Sequence, residues 1–145
     1  MKAIKFDECN IEFAKDQPQY QPLTGYKDEE GRTLFCFELD DEEMEQAKES
    51  LQIFITVLTF LHPLQPIHIS TEKPEIPIHP LLSYSSSPVY KRSEGKFTFQ
   101  HILGESGLKR LNKSRHIWVS VLTFDKPLQP IGVTTLCPED WVANL

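Results

Sequence analysis

Basic charge, cysteine and long apolar runs are all scarce in this chain, and each scarcity removes a class of protein. Its 145 residues carry 15 Lys and Arg against 21 Asp and Glu, a formal net charge of -6. Nonspecific contact with phosphate backbones draws its free energy from a basic surface that releases counterions, so no nucleic-acid partner is expected. Cys9, Cys36 and Cys137 are odd in number and unpaired in spacing, which suits a reducing compartment, with Cys36 a small core residue of an apolar strand. The longest apolar run, residues 53–61, contains threonines and falls far short of the ~20 residues that cross a bilayer. Met1-Lys2-Ala3-Ile4-Lys5 turns polar at once, without a signal-peptide core. A cytoplasmic protein with no membrane contact is expected. No Gly-rich phosphate loop exists either, Gly25 and Gly31 standing alone in turns.

What the chain does have is a repeat. Ile53-Phe54-Ile55-Thr56-Val57-Leu58-Thr59-Phe60 with Pro63-Leu64-Gln65-Pro66-Ile67 returns as Ile117-Trp118-Val119-Ser120-Val121-Leu122-Thr123-Phe124 with Pro127-Leu128-Gln129-Pro130-Ile131. Laid on itself with Tyr26 over Tyr90, the sequence aligns Tyr26–Ile67 with Tyr90–Ile131 without a gap, and 17 of the 42 pairs are identical. At 39% hydrophobic and 25% charged the composition is globular, and a chain of this length favours one shared core over two small ones.

In chain order, Ile4 to Ala14 reads as two short extended pieces about a turn at Asp7-Glu8-Cys9-Asn10. Lys15 to Gly25 has no period, and its prolines favour an extended surface path anchored by Tyr20. The first copy follows: a turn at Lys27 to Gly31, a strand from Arg32 to Leu39, and a helix of about ten residues capped by Asp40 or Asp41, with Met44, Ala47, Lys48 and Leu51 on one face. Ile53 to Phe60 is apolar at nearly every position, as a strand covered on both faces would be. Pro63 and Pro66 end it, and Ile67 to Ser70 forms a short edge piece. After a proline-spaced connector the second copy gives a strand from Lys96 to Leu103, a helix from Glu105 to Asn112 weakened by Gly104 and Gly107, and a strand from His116 to Phe124. Under the same alignment Tyr84 takes the place of Tyr20.

The expected fold is α+β, two tandem strand-helix-strand repeats packed as one pseudo-twofold body with short N-terminal strands added. The divisions are 1–72 for the first repeat with its β extension, 73–80 for the connector, 81–133 for the second repeat and 134–145 for a tail whose Trp141 packs back. Charge is uneven between copies: Asp40, Asp41, Glu42, Glu43 and Glu45 in the first face Lys109, Arg110, Lys113 and Arg115 in the second. These are two solvated helix faces or two surfaces that attract, within a chain or between chains.

The stretches Lys15-Asp16-Gln17-Pro18-Gln19-Tyr20-Gln21-Pro22-Leu23, Thr33 to Leu39, Val57-Leu58-Thr59-Phe60 and Pro63-Leu64-Gln65-Pro66 resemble a family of small proteins of unassigned function. Phages and prophages encode them, including those of the Bacteroidetes. Its members look about half this length, with an A-x-x-Q-P-E-Y-x-P-L-P segment, a Cys-containing strand, a charged helix and I-W-x-x-V-L-T-F-x-x-P-L-Q-P. The first copy matches to about Ser70. The second matches only in its later half, where Ile117-Trp118 restores the tryptophan that Phe54 replaces. The resemblance implies a setting and carries no catalytic residues.

Candidate chemistry is thin. His62, His68 and His79 with Cys36 match no compact metal spacing, and Lys126 and Gly132 replace two of them in the second copy. A Cys-His nucleophile pair fails because Cys36 sits mid-strand and becomes Gln100. The carboxylates of Asp40 to Glu45 read as a helix start rather than an acid/base pair. No metal, no cofactor and no catalytic residue is expected.

The pairs kept in both copies, Thr59 with Gln65 and Thr123 with Gln129, hold an amide between two prolines. Such an amide suits recognition of a planar polar ligand or a partner's backbone. The plainer reading is a rigid strand exit in which Leu64 and Leu128 plug the core and each glutamine satisfies local backbone groups. Tyr26 and Tyr90 face a ligand or sit amphipathically at the core rim. The chain therefore reads as a non-enzymatic phage or mobile-element accessory protein that binds and modulates a host protein, counter-defence included. One alternative is a protein sequestering a signalling nucleotide between repeats or subunits, using Arg92, Lys96, Arg110, Lys113 and Arg115. The other is a phage structural component, and homo-oligomers fit any of the three.

Overall fold

The structure is a computed structural model that describes residues 1–13, 22–60, 62–74, 95–123 and 125–136, together with the backbone of 89–93. The readings made for Tyr20, His79, Tyr84, Cys137, Trp141 and the connector from residue 75 lie outside the described residues. In chain order the elements are β1 (Lys2–Ile4), β2 (Ile11–Phe13), β3 (Leu23–Lys27), β4 (Arg32–Glu38), α1 (Asp41–Ser50), β5 (Gln52–Leu58), β6 (Ile67–Ser70), β7 (Val89–Ser93), β8 (Lys96–Ile102), α2 (Glu105–Ser114), β9 (His116–Leu122) and β10 (Ile131–Thr134). The described residues form an α+β fold of two helices and two sheets. Among the described residues no helix is long and apolar enough to cross a membrane.

The sheets do not follow the halves of the chain. One has the order β2-β3-β4-β9-β6, with β1 also on β4, and the other has the order β10-β5-β8-β7. All pairings are antiparallel, and the two longest run between halves: β4 with β9, from Arg32 opposite Leu122 to Glu38 opposite His116, and β5 with β8, from Leu58 opposite Lys96 to Gln52 opposite Ile102. The flanking pairings cross as well, Ile67 lying opposite Val121 and Ile131 opposite Val57. Exchanging every residue for its equivalent in the other copy turns each of these registers into the other. Within a half, β4 and β5 never pair; α1 carries the chain from one sheet to the next.

One core lies between the sheets. Phe35 and Phe37 of β4, Ile117, Val119 and Val121 of β9 and Ile67 and Ile69 of β6 meet Ile53, Ile55 and Val57 of β5 and Phe99 of β8. Leu39, Met44, Ala47, Leu103 and Leu111 bring in the two helices. Each large side chain buried here contributes about 1.5–3 kcal/mol of transfer free energy. A smaller cluster covers the outer face of the first sheet, where Leu34, Cys36 and Trp118 are packed by Ile4, Phe6 and Tyr26. Phe6 stands edge-on to Trp118 at 5.1 Å, and Lys73 lies over both rings while its ammonium donates to Glu8 at 2.7 Å. With Trp118 on one face and Ile117, Val119 and Val121 on the other, β9 is covered on both sides, as its unbroken apolar run requires.

Local chemistry sets the joints. Gly31 (φ 83°) and Gly95 (φ 75°) turn the hairpins into β4 and β8, and in the first the Asp28 carboxylate accepts from the amides of Glu30 and Arg32, both at 2.9 Å. Asp40 caps α1 with Glu43 in a reciprocal capping box, at 2.8 and 3.1 Å. Both helices end on a left-handed residue, Leu51 (φ 58°) and Arg115 (φ 62°). The carbonyl of each accepts from the strand end ahead of the other helix: Arg115 from Leu39 N–H at 2.9 Å, Leu51 from Leu103 N–H at 2.8 Å. The helices are therefore antiparallel neighbours.

α2 begins at Gly104 without a side-chain cap and carries the buried Gly107 near its start. A Cβ on Gly107 would meet nothing nearer than the Thr71 hydroxyl at 3.8 Å, an ordinary contact. Gly107→Ala removes unfolded-state freedom without strain and is expected to raise stability by about 0.5–1 kcal/mol, read as a higher urea midpoint at unchanged m-value.

Candidate functional site

The two proline-flanked glutamines meet. Gln129 Oε1 accepts from the backbone N–H of Gln65 at 2.9 Å, and Gln65 Oε1 accepts from the backbone N–H of Gln129 at 3.0 Å. Their amide nitrogens donate to the carbonyls of Pro127 (2.9 Å) and Pro63 (2.7 Å). The arrangement follows from the prolines: residues 63–66 and 127–130 have few free donors, and each glutamine supplies to the opposite segment what a ladder would have supplied. Gln65 and Gln129 are 7% and 8% exposed, and Leu64 and Leu128 pack against the main core. The four bonds form a clasp between the halves.

Thr59 and Thr123 are turned inward too. Thr123 donates from both its amide (2.6 Å) and its hydroxyl (2.7 Å) to the carbonyl of Gly31, and the Thr59 amide donates to the carbonyl of Gly95 at 2.7 Å. Each threonine thus ties the end of a long strand to the glycine turn of the other half. Beyond Thr59 the chain enters Phe60 with φ 52° and leaves its ring 59% exposed.

The other candidates are dispersed. Tyr26 packs at the rim of the outer cluster, and Tyr90 lies in β7 opposite Thr98. Arg110 Nε donates to the Thr71 hydroxyl at 3.0 Å, Arg115 pairs with Asp41 at 2.6 Å, and Lys113 is exposed in the last turn of α2. Arg110 and Lys113 lie on the exposed side of α2 and Arg115 at its C-terminal cap. A shallow depression of about 500 Å³ lies on the β3–β4 turn, lined by Lys27, Glu29, Glu30, Gly31 and Asp125. Three carboxylates against one ammonium make that depression unfavourable for an anionic nucleotide.

Burial raises the Cys36 thiol to about 12, with the Glu38 charge adding to the effect, so it is not a nucleophile at neutral pH. His68, whose buried Nδ1 has no hydrogen-bond partner among the described residues, is held below the ordinary histidine range by burial. His101 is lowered by burial first and then by the charge of His68. Among the described residues no three His, Cys, Asp or Glu side chains converge as a metal set.

The two imidazoles make acid a destabiliser. Depressed folded-state values mean that the unfolded chain takes up protons first, so their contribution is complete above ~6.5 and falls away as pH drops below it. Thermal melts between pH 7.5 and 5.5 are expected to show a falling midpoint, and His68→Gln with His101→Gln flattens that slope.

Comparison with family models, with curated proteins and with solved structures finds no match to this chain.

Proposed function

We propose that this chain is a duplicated strand-helix-strand unit closed into a pseudo-twofold body, and that it acts as a non-enzymatic binding protein of a phage or other mobile element in the cytoplasm of a bacterial host. Its partner is a host protein, which it modulates by occupancy. The observation that supports this reading most is the inward use of the threonines and glutamines kept in both copies. Thr59, Thr123, Gln65 and Gln129 serve the joint between halves, and the outward surface is helix faces, strand edges and exposed turns. Such a surface suits a macromolecule better than a small polar ligand.

The test is affinity capture on the immobilised full chain from lysate of a bacterial host, paired with native mass spectrometry of the purified protein. A host protein retained in stoichiometric amount and absent from a charge-scrambled control supports the reading. A reproducible extra mass of nucleotide size sinks it in favour of sequestration, and large regular oligomers sink it in favour of a particle component.

A further inference from the structure

We propose that the helical face is a self-association surface, on which α1 of one copy lies over α2 of a second copy and the reverse. The helices are antiparallel neighbours of equal length, ten residues each, and both bury only one narrow stripe: Met44 and Ala47 in α1, Gly107 and Leu111 in α2. The outward faces carry opposite net sign, with Lys48 of α1 paired to Glu45 at 3.5 Å and Glu105 the one exposed carboxylate of α2. Glu42, Glu45 and Glu49 are exposed on α1, and Lys109, Arg110 and Lys113 on α2. Glu45 is the repeat equivalent of Lys109, and Glu49 of Lys113, so matching positions on the two helices carry opposite charges.

That pattern selects the partner and its orientation. Two copies brought face to face can be related by a twofold axis across the helices or along them. The axis across sets α1 on α1 and α2 on α2, like charge on like. The axis along sets acidic α1 over basic α2 twice, by symmetry. The overlaid helices then run antiparallel, which brings Glu42 opposite Lys113 and Glu45 opposite Lys109, and sets the positive end of the α1 dipole beside the negative end of the α2 dipole. Helices ~15 Å long and ~10 Å wide offer a footprint of ~300 Å² per copy, far below the interface of a permanent dimer. The complex is weak, and salt governs it because the charges are exposed.

Sedimentation velocity on the full chain tests this at ~20 mM and ~500 mM salt, either side of the regime where screening reaches ~10 Å. Dimer is expected to grow with concentration in the first buffer and to vanish in the second. Lys109→Glu with Lys113→Glu, and separately Glu42→Lys with Glu45→Lys, should each weaken self-association at least tenfold. Mixed together, the two variants should form a 1:1 complex at least as tight as the unaltered dimer. All four side chains are exposed, and circular dichroism checks that each variant folds; Lys109→Gln with Lys113→Gln replaces a variant that does not. A chain that stays monomeric at low salt overturns the proposal, as does a dimer that ignores salt and both reversals. Neither result bears on capture of a host protein.

Discussion

Gln65→Ala and Gln129→Ala are each expected to cost about 2–4 kcal/mol, more than any surface substitution. Either change deletes two hydrogen bonds whose partners sit on the other half, and it strands a buried amide N–H and a proline carbonyl that no ladder strand can serve. Leaving such groups buried and unpaired costs about 1–3 kcal/mol each, and the two proline carbonyls are only part-buried, which holds the sum to the lower part of its range. The two side chains share no bond, but both hold residues 63–66 and 127–130 in register, so the double variant should depart from additivity by roughly 1 kcal/mol. Urea unfolding of the two single variants and the double variant measures all three terms. Losses no larger than those of an ordinary surface change, below about 0.5 kcal/mol, would show that water replaces the amides readily and that the clasp is incidental.

The second large effect is Gly25→Ala. Gly25 lies in β3, where an added Cβ would stand 2.7 Å from the backbone carbonyl oxygen of Leu34 and 2.7 Å from two ring carbons of Phe35. Real Cβ atoms do not approach a carbonyl that closely, and Phe35 cannot retreat because it is fully buried and edge-on to Phe13 at 5.6 Å. Either β3 lifts off β4 or the core shifts. Overpacking of this kind costs about 1–3 kcal/mol, and the upper end is expected because one clashing atom is backbone. Gly25→Ala should lower the thermal midpoint while Gly132→Ala, whose Cβ would have open space, leaves it nearly unchanged.

How the sequence reports this fold is clearest at β5 and β9. Their continuous apolar runs identify them as strands covered on two faces, and the structure places each inside its sheet, β5 between β10 and β8 and β9 between β4 and β6. The helices are equally legible: Asp40 announces the start of α1, and Met44 and Ala47 are the buried stripe. Leu51, read as part of that stripe, instead leaves the helix as its left-handed cap. Pairing was not legible. Periodicity tells which way a side chain points but not which strand lies beside it, so nothing in Phe35 or Phe37 says that Val119 and Ile117 sit opposite. No alternating pattern marks β3, β7 or β10 as a strand. β3 follows Pro22 and carries Gly25, which weakens its local preference, and the glycine is needed there for the Phe35 ring. The clasp is half visible in the sequence, since the repeat marks both glutamines; that each amide serves the opposite segment depends on pairing between distant stretches of chain, which no local pattern reports.

The crossing of the two sheets also has a consequence in time. β4 ends at residue 38, and the strand that completes its free edge ends only at residue 122. At ~5–20 residues per second of synthesis, the apolar face of β4 waits on the order of 4–17 s on the ribosome before its neighbour exists. In that interval the first half has no strand of its own to close that edge, because its β5 belongs to the other sheet. Glu29 and Glu30 on the turn before β4, and the acidic opening of α1 after it, bracket that waiting strand with repelling charge. Charge placed there is expected to disfavour edge-to-edge pairing of nascent chains until the second half arrives.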